Sequence, residues 1–203
     1  KHWCWNYHNT NTKMKYLLAL FIVLPVYAAD NTIYIEQTGS NNTFAVTQEG
    51  SGHSVSITTG TASDVDYSYF TVTQQGSGSK TASITVPSGI NNSINISQDG
   101  AGSHTASILN LNGSGNQLSI SQSGAGNHSF SVVGNTGTTN DANVLNAQQS
   151  GGSGADKTFN LWLNGATGAN ITVQQTNATQ ANQGGMSVTC MPGTCGNWSY
   201  VRN

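Results

Sequence analysis

Charge is what this sequence has least of. Asp, Glu, Lys and Arg make up 7% of its 203 residues, against about 25% in an ordinary soluble protein. The formal net charge is -2, so copies of the chain do not repel one another strongly. No basic patch is present, which excludes nucleic acid as the main partner. Catalytic signatures are missing as well. The chain has no Gly-x-Ser-x-Gly, no His-x-x-x-His and no phosphate loop, so nothing marks it as an enzyme and no cofactor is expected. Its longest apolar run, Leu17 to Leu24, is far below the roughly 20 residues that span a bilayer. Cysteine is scarce. Cys190 and Cys195 flank Met191-Pro192-Gly193-Thr194, and Pro-Gly favours a tight turn. With no His nearby they do not make a zinc site, but in an oxidising compartment they could close a small disulfide loop.

Gly, Ser, Thr, Asn and Gln take the place of charge. Abundant Asn and Gln with little charge favours amide ladders and self-association. Gln-x-Gly recurs six times, at Gln37/Gly39, Gln48/Gly50, Gln74/Gly76, Gln98/Gly100, Gln122/Gly124 and Gln149/Gly151. From Gln48 the glutamines stand 26, 24, 24 and 27 residues apart, and Gln175 follows after 26 more. A fixed period in the twenties is the signature of stacked repeats.

The repeats follow a leader. Met14-Lys15-Tyr16, the apolar run and Pro25-Val26-Tyr27-Ala28 read as a secretory signal peptide cut after Ala28. Residues 1–13 read as an extension upstream of the initiator Met. Residues 29–189 are then the repeat region, and 190–203 a tail with the cysteine loop.

Side chains of a strand alternate between two faces. Ile33, Ile35 and Gln37 share one face, as do Phe70, Val72 and Gln74; Ile94, Ile96 and Gln98; Leu118, Ile120 and Gln122; and Ile171, Val173 and Gln175. The glutamine is in phase with the apolar residues and so points inward. A buried amide without a partner costs about 1–3 kcal/mol, and stacked glutamines satisfy one another layer on layer. Gly two residues later starts the turn, and a second strand returns: Phe44 to Gln48, Ala82 to Val86, Ala106 to Ile108, Phe130 to Val132 and Phe159 to Leu163. The apolar face resumes five residues after Gly39 and Gly50 but six after Gly76, Gly100 and Gly124. An extra residue inside a strand would flip its face, so the turn is expected to absorb it. The fold class is all-β, a β-solenoid of five or six layers. The spine comprises Ile33, Ile35, Gln37, Asn42, Gln48, Gln74, Ile94, Ile96, Gln98, Leu118, Ile120, Gln122, Gln149 and Gln175.

Ile33-x-Ile35-x-Gln37-x-Gly39-x-x-Asn42-x-Phe44-x-x-x-Gln48 resembles the curlin repeat of the curli family, which runs Ser-x5-Gln-x-Gly-x2-Asn-x-Ala-x3-Gln. Ser93 to Gly100 is similar to its first half. Phe44 replaces the small Ala, later turns are one residue longer, and most repeats lack the second Gln. The resemblance implies a secreted bacterial amyloid subunit that polymerises with itself at the cell surface. It also implies an outer-membrane secretion pore and nucleator or accessory proteins as partners.

Three further sets of residues compete with plainer readings. His53, Lys80, His104 and His128 follow their glycines by three or four residues. Stacked, they form a pH-sensitive or metal-binding edge; read plainly, they are solvated turn polarity. Asp64 and Asp66 are a carboxylate pair or a solvated loop. Tyr67, Tyr69, Trp162 and Trp198 form a platform for surface glycans, or cover edges and fibre contacts. An ice-binding face would need a regular Thr-x-Thr array. Thr71-Val72-Thr73 is answered by Asn95-Ile96-Ser97 and Ser119-Ile120-Ser121, so the array is broken.

Overall fold

Strand propensity, period-2 apolar patterning and glycine punctuation all point to parallel stacking, and the computed structural model of the chain shows that arrangement. It describes residues 21–23, 30–60, 65–86, 88–135, 139–190 and 195–203. The expected leader and upstream extension therefore fall outside the described residues, apart from Phe21–Val23, and so does Asp64.

The first sheet contains β1 (Phe21–Val23), β3 (Thr43–Gly50), β6 (Tyr69–Gly76), β9 (Ser93–Asp99), β11 (Gln117–Gly124), β13 (Val144–Gly151), β15 (Asn170–Gln175) and β17 (Asn197–Arg202), hydrogen-bonded in that order. The second sheet contains β2 (Thr32–Gln37), β4 (Ser54–Thr59), β7 (Lys80–Val86), β10 (His104–Leu109), β12 (His128–Gly134), β14 (Lys157–Asn164) and β16 (Asn182–Thr189). A small sheet of β5 (Val65–Asp66) and β8 (Gly89–Ile90) lies on one set of turns. All pairings are parallel. The chain alternates between the two sheets, so it winds as a β-solenoid of about six coils.

Apolar residues at every second position fill the space between the sheets. In-register stacking sets like on like: Phe44 lies on Phe70 with ring centroids 5.0 Å apart, and Phe130 on Phe159 at 5.4 Å. The extra turn residue is absorbed as the spacing requires. Gly50 pairs with Gly76 and Ser54 with Thr81, so the added residue lies between Gly76 and Lys80 and both strands keep their faces.

One assignment is corrected. Gln37 does not stand in the glutamine column. It lies in the second sheet opposite Thr59, half-buried, and donates to the Gly39 carbonyl. Phe44 to Gln48, read as a returning strand, belongs to the first sheet, with Phe44 on Phe70 and Gln48 on Gln74. Ile33 and Ile35 accordingly stack on Val55 and Ile57, and Gly39 sits in the opposite turn from Gly50, Gly76, Gly100, Gly124 and Gly151. The 11-residue step from Gln37 to Gln48 is half a period, and half a period crosses to the other sheet.

Candidate assembly interface

Three polar columns run through the solenoid, and each has a direction. The first is the glutamine column. Gln48, Gln74, Gln98, Gln122, Gln149 and Gln175 are all buried. Each Nε2 donates to the Oε1 of the next glutamine, at 2.8, 2.9, 2.8, 2.8 and 2.7 Å along the series. Its second hydrogen goes to a backbone carbonyl of the second sheet, Thr32, Ser54, Thr81, Thr105, Ser129 and Thr158 in turn. Each side chain thus ties both sheets and two layers together. The next residue in register after Gln175 is Arg202.

The second column lines the turns that lead into the first sheet. Asn42 Oδ1 accepts from the Ser68 backbone N–H at 2.9 Å, and its Nδ2 donates to the Val65 carbonyl. Asn92, Asn116 and Asn143 repeat the arrangement one layer after another, and Asn143 Oδ1 accepts from Ala169. Sequence reading caught only Asn42. The interposed Ser68, whose hydroxyl accepts from the Asn92 N–H at 3.2 Å, hides the period. Asp66 serves this turn too: its carboxylate accepts from the N–H and hydroxyl of Ser40.

The third column overturns an expectation. His53, Lys80, His104, His128 and Lys157 are not solvated turn residues. They are buried inside the other set of turns, in register with one another. Glycines at positive φ make room for them: Gly76 has φ +98°, and a Cβ there would lie 2.3 Å from the Gly100 carbonyl oxygen. Lys80 Nζ donates to the carbonyls of Gly78, Gly100 and Gly102 at 2.7, 2.8 and 2.9 Å. Lys157 Nζ donates to Asn177, at 2.8 Å, and to Gln180. The histidine Nε2 atoms meet the carbonyls of Glu49, Asp99 and Ser123 at 3.0, 2.8 and 3.0 Å, and the three Nδ1 atoms have no partner. This fits neutral rings protonated on Nε2. Burial lowers His104 to about 4, and it lowers His53 and His128 in the same direction. His104 and His128 stack with centroids 4.9 Å apart and planes within 6°. Parallel rings face their nitrogens sideways, so they do not converge on one ion, and no group of three metal-binding side chains occurs among the described residues.

The four aromatics do not form one platform. Trp162 is exposed on the outer face of the second sheet and Tyr69 on that of the first, while Tyr67 sits in a turn and Trp198 is partly buried against the core. Cys190 and Cys195, between β16 and β17, are joined in a disulfide.

The family of the curlin associated repeat matches residues 28–60, which cover β2, β3 and β4. That segment is a curlin associated repeat. Comparison with curated proteins and with solved structures finds no match. Beyond Gly60 the coils continue in register, with Lys80, His104, His128, Lys157 and Asn182 at the buried turn position and Val86, Asn110, Gly134, Leu163 and Val188 in the column that begins with Gln37 and Thr59.

Proposed function

We propose that this chain is a secreted structural subunit, without enzymatic activity, that polymerises into extracellular curli-like filaments at a bacterial surface. The supporting observation is the sheet edges. Interior strands are hydrogen-bonded on both sides in register, while among the described residues β2, β16 and β17 each have a neighbour on one side only. An unpaired parallel edge templates a further strand, and the directional amide columns continue into whatever adds there. Export through an outer-membrane pore and contact with nucleator proteins belong to the same proposal.

The test uses the chain from Ala29 onward, which retains every core residue among those described. Diluted out of denaturant, it should form filaments after a lag that preformed seeds abolish. The filaments should diffract near 4.7 Å and 10 Å. A chain that folds and stays monomeric overturns the proposal.

A further inference from the structure

The outer face of the second sheet is mostly Ser and Thr. One of its columns changes character along the solenoid. It runs from Glu36 through Thr58 and Thr85 to Leu109, Val133 and Trp162, and Ser187 follows. Leu109 and Trp162 are exposed and Val133 is half-buried. Glu36 carries the charge of this face and stands five layers from Trp162, about 24 Å at the usual strand spacing. That is well beyond the screening length of about 8 Å at physiological ionic strength, so the surface around the indole is electrically neutral.

The neighbouring column explains how the indole is seated. It holds serine in four successive layers, Ser56, Ser83, Ser107 and Ser131, then Asn160 and finally Gly185. A Cβ at Gly185 would lie 3.1 Å from Trp162 Cζ3 and 3.7 Å from its Cη2. The six-membered ring therefore reaches over bare backbone of β16. Beside it lies an open depression of about 390 Å³, lined by Val133, Asn135, Leu163, Asn164 and Ser187 together with Trp162. Asn135 Nδ2 donates to Asn164 Oδ1 at 3.0 Å, which holds two amides together beside the indole.

The four aromatics do not share a platform, yet this one indole carries one. We infer that the Trp162 depression binds an uncharged β-linked hexopyranose chain whose ring substituents are equatorial. Such a ring shows only axial C–H groups on its faces, and these pack on the electron-rich face of an indole. The hydroxyls at the ring edge meet the amides of Asn135 and Asn164 and the hydroxyl of Ser187, which both donate and accept. The volume lies in the usual range for small-ligand sites, roughly 300–1,000 Å³. A protein partner would need about 800 Å² from this side, more than three apolar side chains set among Ser and Thr provide. A neutral surround gives a polyanion nothing to pair with. The site lies on the flank of the solenoid, so a single chain and a filament present it alike, and it stands apart from the filament reading.

The test is equilibrium dialysis of the chain from Ala29 against cellohexaose and chitohexaose, two chains of this chemistry. Dialysis retains the protein whether or not it polymerises, so the outcome is separate from that of the filament test. At least one sugar should bind, and Trp162→Ala should weaken it roughly tenfold or more, with Trp162→Tyr retaining part. Gly185→Ser restores the serine of its column, displaces the ring and should weaken binding several-fold with the indole still present. Tyr69→Ala, which removes an exposed aromatic from the other sheet, should leave binding unchanged. If neither sugar binds, if Trp162→Ala or Gly185→Ser keeps the parental affinity, or if Tyr69→Ala loses as much as Trp162→Ala, the site is overturned.

Discussion

A charged or titratable group inside a solenoid must find its partners within its own turn. Lys80 does so through three backbone carbonyls, and Asp99 only adds a favourable field. Replacing it by Met leaves buried acceptors without donors, at about 1–3 kcal/mol each. The turn from Gly76 to Lys80 has the same length as those from Gly100 to His104 and from Gly124 to His128. Lys80→His can therefore direct Nε2 to the Gln75 carbonyl, as the other two do. Lys80→Met should lower stability by about 3 kcal/mol or more, and Lys80→His by much less, read as denaturant midpoints. Equal losses would show that the ammonium contacts carry no special weight. The histidines give a pH dependence with a definite sign. The groups facing His104 are His128, Lys80 and Asp99. Its proton affinity falls from the usual 6.5 to about 4 on folding, so the unfolded chain binds the proton more readily. Stability is then full above pH 6.5 and declines as the pH falls toward 4. For His104 alone the loss is at most about 3 kcal/mol, at about 1.4 kcal/mol per tenfold change in proton affinity. His53 and His128 move the same way. Unfolding midpoints that do not change between pH 7 and pH 4 would contradict neutral buried rings.

Within a coil, the glutamine joins the sheets and the layers at once. Gln98→Ala with Gln122→Ala removes two adjacent rungs, leaving Gln74 without its amide acceptor and Gln149 without its amide donor. Filament growth should slow by tenfold or more, on the basis of about 1–3 kcal/mol per unsatisfied buried group. Growth at the parental rate would show that the backbone ladders suffice. The strands and this ladder were legible in the sequence because period-2 patterning is local and the glutamine phase is fixed by its strand. The sheet to which Ile33–Gln37 belongs was encoded too, in the 11-residue step against steps of 24 to 27, but a repeat motif read as one unit conceals it. The burial of His53, Lys80, His104 and His128 was not legible. A Gly-rich turn reads as solvated when taken alone, and here the layers above and below close it. The same holds for Ser68 in the asparagine column, where loops of unequal length disguise a position that only register defines.

For the whole molecule, the end faces decide what grows. β1 pairs with β3 through Ala45, Val46 and Thr47, and those are backbone groups that an incoming copy would use. Phe21–Val23 lies within the expected leader, so a chain that keeps residues 1–28 has one end plugged and the other, β16 with β17, open. Such a chain can still dock its open end on a growing filament, and it then leaves the plugged end outermost. It should act as a terminator at well below one per subunit. Adding about one tenth of it to the chain from Ala29 should shorten the filaments several-fold, measured by electron microscopy. The total mass polymerised should change little, because seeds and spontaneous nuclei remain. The control is the same addition with Val23 replaced by proline, which lacks the N–H that a parallel ladder needs and should release the plug. Filaments of unchanged length would mean that β1 yields to an incoming copy, and the end face would then be open before the leader is removed.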